Sequence, residues 1–154
     1  MIKYIQYSSQ YLLSIQKLIL HTIEVQNSKD YSSETVEIMK TWQNLERLSN
    51  KISKGIYYLA INQNQEIVGI GGLVGEEICT MFVHPEYSGQ GIGKTILQKL
   101  ETSARALKIN KIYLSSTLTA EQFYINCGFQ KIRQALHKLD GNDFKAIEME
   151  KILS

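Results

Sequence analysis

Proline occurs once in this chain, at Pro85, and cysteine only twice, at Cys79 and Cys127. A single proline excludes a proline-rich linker or a collagen-like repeat. The two cysteines form neither a Cys-x-x-Cys pair nor a metal-ligand spacing. A disulfide framework and a zinc ribbon are therefore excluded, and a reducing compartment, the cytoplasm, is expected. Charge of one sign is also lacking: 17 basic against 15 acidic residues give a net charge of +2. That is too small a field to imply a nucleic-acid or anionic-membrane partner. No apolar run approaches the roughly 20 residues needed to cross a bilayer, and the longest, residues 67–75, is broken by glycines. The opening Met1-Ile2-Lys3-Tyr4 has no charged start followed by an apolar stretch, so no secretory signal is expected. What remains is ordinary globular composition at a length that suits one domain spanning residues 1–154.

Hydrophobic periodicity divides the chain. Residues 2–7 read as a short strand. Leu12, Ile15, Leu18, Ile19 and Ile23 then recur at helical spacing. Residues 27–31 are polar and read as a loop, after which Ser33 is the expected cap of a second helix with Ile38, Trp42, Leu45 and Leu48 on its apolar face. From Gly55 the period changes to two. Residues 56–61 and 67–74 read as a hairpin, and 78–83 as a strand ended by His84-Pro85. Ile92, Ile96, Leu97, Leu100, Ala104 and Leu107 form the stripe of a long helix, and residues 112–114 a short strand. Residues 119–126 read as a short helix with a capping box, Thr119 to Gln122. The tail reads as two strands, 129–139 and 144–152, joined by Asp140-Gly141-Asn142-Asp143. Hairpins flanking one strand–helix–strand unit imply an α+β fold. The expected architecture is a mixed, mostly antiparallel sheet of six to seven strands with about four helices and one central βαβ unit.

Between the third strand and the long helix lies Ser88-Gly89-Gln90-Gly91-Ile92-Gly93-Lys94-Thr95. Alternate glycines let the backbone turn sharply and let a ligand approach closely. The helix start that follows offers unpaired N–H groups and a partial positive charge. Together these make an anion site suited to phosphate or pyrophosphate, although the same glycines also suit a tight connection with no ligand. The dinucleotide fingerprint Gly-x-Gly-x-x-Gly fails because Lys94 holds its last position. The nucleotide-hydrolase loop Gly-x-x-x-x-Gly-Lys-Ser/Thr matches at Gly93-Lys94-Thr95 but has Ser88 in first place, and no apolar strand ends in the aspartate that would hold magnesium.

A third template fits further. Met81-Phe82-Val83-His84-Pro85 followed by Ser88-Gly89-Gln90-Gly91-Ile92-Gly93 resembles the acetyl-CoA turn of the GNAT superfamily of N-acetyltransferases: an apolar strand ending near Val-x-Pro, then Arg/Gln-x-x-Gly-x-Gly/Ala. Ser88 stands where Arg or Gln is usual. A second segment, Ala120-Glu121-Gln122-Phe123-Tyr124-Ile125-Asn126-Cys127-Gly128-Phe129, resembles the family's Ala-x-x-x-Tyr-x-x-x-Gly-Phe. The position seven before that tyrosine, often Asn in the family, is Thr117. The resemblance covers roughly residues 56–153.

The resemblance implies acetyl transfer from acetyl-CoA to a primary amine by direct attack in a ternary complex, without a metal. It implies that backbone N–H groups of Gly89, Gln90, Gly91, Ile92, Gly93 and Lys94 hold the pyrophosphate, and that Met81, Phe82 and Val83 pair with the pantetheine arm as an added strand. A backbone N–H of Phe82 or Val83 would then polarise the thioester carbonyl. Thr117 takes the place of a cofactor contact. Tyr124 matches the general acid that protonates the departing thiolate. Glu76 and Glu77 precede the cofactor strand, where the family often uses a carboxylate base. Only one of them can face the cleft, and Glu77 is the favoured choice.

The acceptor amine is not legible, although Tyr31, Glu34 and Trp42 fall in the segment that walls the acceptor cleft in this family. Other readings stay open on the residues alone. Ser88 and Thr117 suit a non-catalytic acyl-CoA-binding module, and Gly93-Lys94-Thr95 suits a P-loop nucleotide-binding protein. Acetylation of a charged transfer RNA is disfavoured by the low net charge. The C-terminal strands offer an edge for a homodimer, which the sequence does not decide.

Overall fold

The computed structural model describes residues 1–139 and 141–154. Seven strands form one sheet: β1 (Lys3–Gln6), β2 (Ile56–Ile61), β3 (Ile67–Val74), β4 (Glu77–Val83), β5 (Lys111–Thr117), β6 (Gln130–Leu139) and β7 (Asn142–Ile152). Their spatial order is β1-β2-β3-β4-β5-β7-β6, and every neighbouring pair is antiparallel except β4 and β5. Helices α1 (Leu12–Gln26), α2 (Ser33–Thr41) and α3 (Leu45–Ile52) lie in the first part of the chain, α4 (Ile92–Ala106) joins β4 to β5, and α5 (Glu121–Asn126) follows β5. The expected α+β architecture and its central βαβ unit are therefore present.

Each face of the sheet buries its own apolar layer. Ile92, Ile96, Leu97 and Leu100 of α4 pack with Tyr124 of α5 and with Ile112, Leu114, Ile147 and Met149 of the strands. On the opposite face Ile15, Leu18, Ile19 and Ile23 of α1 pack with Val36, Met39, Leu48 and Ile52 of α2 and α3, over Leu59 and Ile70. Burying each aliphatic side chain contributes about 1.5–3 kcal/mol.

The first half departs from expectation in one respect. The second helix is two helices, which makes five. The Asn44 side chain accepts a hydrogen bond from the Arg47 N–H at 2.9 Å and restarts the helix as α3. The break resets the phase of the apolar face. Val36, Met39, Leu48 and Ile52 are buried, while Leu45 is largely exposed and Trp42 carries the Arg47 guanidinium 3.7 Å from its ring centroid. The cap of α2 is Ser32, one residue before the expected Ser33, and accepts from Thr35 N–H at 3.2 Å.

Two further expectations are corrected near the C-terminus. The capping box at Thr119 does not form: Ala120 is the N-cap of α5, and the Thr119 hydroxyl is buried without a partner among the described residues. Asn142 and Asp143, expected in a turn, belong to β7, with Asn142 opposite Leu139. Asp140, which shared that expected turn, lies outside the described residues.

Candidate active site

The parallel pair β4/β5 is in register at one position, Glu77 opposite Tyr113, with Tyr113 N–H donating to Glu76 O at 3.1 Å. Beyond it the strands part. β4 is also bent. Cys79 pairs with Gly72 and Phe82 with Ile70, so Thr80 and Met81 together face Gly71. This is a β-bulge, with Thr80 in the left-handed region at φ +55°. The Tyr57 hydroxyl lies 3.3 Å from both Cys79 Sγ and Thr80 Oγ1 and ties the bulge to β2. The close packing of that ring needs a glycine beneath it, since a Cβ at Gly72 would overlap it. Splay and bulge together open a cleft of about 560 Å³ between the strands.

The floor of the cleft at one end is the glycine turn. Pro85–Tyr87 forms a short 3-10 turn, initiated by His84, whose Nδ1 accepts from Glu86 N–H at 3.1 Å. Gly89 and Gly91 follow at φ +79° and +83°, a conformation that costs an L side chain about 1–2 kcal/mol. The first helical bond of α4 runs from Thr95 N–H to Gly91 O at 3.0 Å. The amides of Ile92, Gly93 and Lys94 therefore have no carbonyl within the helix. The same Gly91 carbonyl also takes the Thr95 hydroxyl at 2.9 Å, which turns that hydroxyl back onto its own helix.

Most of the residues singled out from the sequence meet here. Met81, Phe82 and Val83 line the cleft, as do Gly89, Gly91, Ile92, Gly93, Lys94, Thr117 and Tyr124. Gln90 is exposed outside the lining, and Glu77, half-buried at the start of β4, does not line it either. Tyr124 is 7 % exposed and packs edge-to-face against Phe123 and Phe129, with ring centroids at 5.0 and 5.6 Å. Its hydroxyl has no hydrogen-bond partner among the described residues. Burial holds this phenol well above its ordinary pKa, and the nearby Cys127 and Cys79 thiols act in the same direction. It is a protonated group at neutral pH.

The position of α5, which carries Tyr124, is supported by an ion pair between a buried glutamate and a partly exposed lysine. Lys151 Nζ lies 3.1 Å from both Glu101 carboxylate oxygens and donates to Cys127 O at 2.8 Å. That joins β7, α4 and the end of α5.

Several lining residues were not foreseen: Thr22, Gln26 and Asn27 from the end of α1, Cys79 and Thr80 at the bulge, and Ser115 and Ser116 on β5. A signal was available in Thr22, a polar residue inside the apolar stripe, whose hydroxyl is buried and donates to Leu18 O at 2.8 Å. Of the acceptor-side candidates, Tyr31 is not among the lining residues but ties the helical half of the chain to β7 and to the segment after β5. Its hydroxyl donates to Lys145 O at 2.6 Å and accepts from Leu118 N–H at 2.9 Å. Glu34 is exposed on α2 and lines nothing, and Trp42 stands away from the cleft.

Comparison with known proteins agrees with this geometry. Residues 27–153 match the family model described as an acetyltransferase (GNAT) domain. The chain is 31% identical over 85 residues to the peptidyl-lysine N-acetyltransferase YjaB of Salmonella typhimurium, a match covering 55% of this chain and 57% of that protein. Among solved structures, a GCN5-related N-acetyltransferase from Rhodopseudomonas palustris superposes with a TM-score of 0.92 over 98% of this chain and 95% of that one, at 22% identity. The PaiA N-acetyltransferase of Thermoplasma acidophilum, solved with coenzyme A, gives 0.78 over 99% of both chains at 21% identity. The splayed strands, the glycine turn at a helix start and the matched family model lead to one conclusion: this chain belongs to the GNAT acetyltransferase family.

Proposed function

We propose that the protein transfers the acetyl group of acetyl-CoA to a primary amine by direct attack within the β4/β5 cleft. The observation that carries this reading is the juxtaposition, in one cleft, of a glycine turn with free helix-start amides and a buried, unpartnered tyrosine. Family membership and a fold shared with a coenzyme A complex support it.

In this reading the pyrophosphate binds the amides of residues 91–94, stabilised by the helix dipole. The pantetheine arm lies along Met81, Phe82 and Val83. The bulge at Thr80 keeps β5 from covering that edge, so the arm takes the place of a missing strand. The amine lone pair attacks the thioester carbonyl carbon, and the oxyanion that forms is held by a β4 amide, of Phe82 or Val83. The C–S bond then breaks. The thiolate takes the phenolic proton of Tyr124, the amide nitrogen loses its extra proton to water, and solvent restores the phenol. A high phenol pKa suits the role, because the thiolate is desolvated in the same cleft and becomes a stronger base. Glu77 lies outside the lining. In this reading it reaches the amine only through water, and Glu77→Gln leaves most of the activity.

The test is thiol release from acetyl-CoA in the presence of amine, comparing the wild type with Tyr124→Phe. The variant should lose about 100-fold or more in kcat with little change in the KM for acetyl-CoA. The wild-type rate should not decline on the alkaline side below about pH 10, because the phenol keeps its proton there. Unchanged kcat in the variant, or no amine-dependent thiol release at all, would favour a non-catalytic acyl-CoA-binding module instead.

A further inference from the structure

Two independent features of the cleft bear on which amine it accepts. The first is its charge. Among the described residues that line it, Lys94 carries the one charged side chain, and it sits in the phosphate turn at the α4 start. The lining holds no aspartate, glutamate or histidine to take a proton from an ammonium group or to pair with a second cationic centre. The second feature is Asn27, at the junction of α1 with the short 3-10 turn Asn27–Lys29. It is 6 % exposed, yet its side-chain amide has no hydrogen-bond partner among the described residues. Its backbone is held, since its carbonyl accepts from Asp30 and Tyr31 N–H at 3.1 and 3.0 Å. The Thr119 hydroxyl also lacks a partner among the described residues, but it is sealed from the cleft's solvent, and several other polar side chains of the lining are occupied. Thr22 Oγ1 donates to Leu18 O, Thr117 Oγ1 accepts from Ala120 N–H, Ser116 Oγ donates to Thr117 O, and Ser115 Oγ meets His137 Nε2 at 3.3 Å.

The Asn27 amide has no protein partner among the described residues and opens onto the cleft, so water meets it until a ligand takes that place. An asparagine amide offers one acceptor and two donors in a plane. Its complement is another amide, such as a peptide bond. A cleft without a base selects an amine that is already partly neutral. At pH 7.5 about a third of peptide α-amines carry no proton, against about 0.1% of lysine ε-amines. Both features converge on the same group, since a terminal α-amine is the weakly basic amine that stands next to a peptide bond.

We infer that the acceptor is the α-amine of a peptide or protein N-terminus, with Asn27 binding the first peptide bond as a specificity-determining residue. This rests on the acetyltransferase reading above.

Two peptides of otherwise identical sequence separate the possibilities, one with a free N-terminus and no lysine, the other N-terminally blocked with one internal lysine. Thiol release from acetyl-CoA at pH 7.5 should favour the free N-terminus at least about tenfold in kcat/KM. That preference should narrow as the pH rises toward 9.5 and the lysine deprotonates. Asn27→Ala should raise the KM for the free-N-terminus peptide about tenfold, with kcat and the KM for acetyl-CoA little changed. Equal or better use of the lysine peptide by the wild type overturns the inference, as does Asn27→Ala without effect. Acetyl-CoA binding by calorimetry with neither peptide acetylated also overturns it while leaving the cofactor reading in place. Absence of acetyl-CoA binding overturns the underlying reading itself.

Discussion

At the scale of single residues, the cleft works through backbone as much as side chains. Gly91 holds φ +83° with open space around the position of a Cβ. Gly91→Ala therefore meets no clash, and its cost is conformational, about 1 kcal/mol of stability. The same substitution tilts the helix-start amides away from their anion. The KM for acetyl-CoA should rise several-fold, whereas Lys94→Ala, which removes an exposed charge and no amide, should change it by less. Steady-state kinetics on the two variants checks the order, and the reverse order would mean that a side chain, rather than the helix start, holds the phosphate. The glycine turn and Tyr124 were readable in the sequence because their chemistry depends on residue type at fixed spacing. Asn27 was not. Its proposed role comes from lining the cleft with no protein partner for its amide among the described residues, which depends on how α1 meets the cleft and leaves no local pattern, and its polar neighbours read as an ordinary loop.

At the scale of elements, the sequence was legible where one face is apolar and the other wet, and illegible where a strand borders the cleft. β5 reads as residues 112–114 from its apolar alternation, yet it continues through Ser115, Ser116 and Thr117, each paired with β7. Those three residues are polar because they line the cleft, so function overrides the pattern there. The second helix was misread for a different reason. Asn44 as an interior cap is a local signal that a continuous apolar stripe masks. The element that carries Tyr124 is short, six residues, and has no side-chain cap. It is held mainly by packing and by Lys151, which bridges Glu101 and Cys127 O. Lys151→Met leaves the buried Glu101 carboxylate with Arg105 alone, at 3.7 Å. It should cost about 3 kcal/mol in denaturant unfolding. Lys151→Met combined with Glu101→Gln should recover part of that loss, and no recovery in the double variant would mean that the pair is not the source of the cost.

At the scale of the whole molecule, one sheet is divided functionally where its single parallel pair parts. β1 to β4 with α1–α3 make one wall, β5 to β7 with α5 the other, and α4 spans beneath them. A ligand that fills the cleft bridges the two walls, so it should stabilise the chain against heat. At a hundredfold excess over its Kd the gain is about 2.7 kcal/mol, a rise in Tm of roughly 5–10 °C for a domain of this size. The central claim is that the cleft holds acetyl-CoA by its pyrophosphate and pantetheine arm. Isothermal titration of the intact protein with acetyl-CoA, and separately with magnesium-ATP, tests it most directly. The account requires one-site binding of acetyl-CoA in the micromolar range, weakened by Gly91→Ala, and no binding of magnesium-ATP. Binding of magnesium-ATP alone, or of neither ligand, would contradict it.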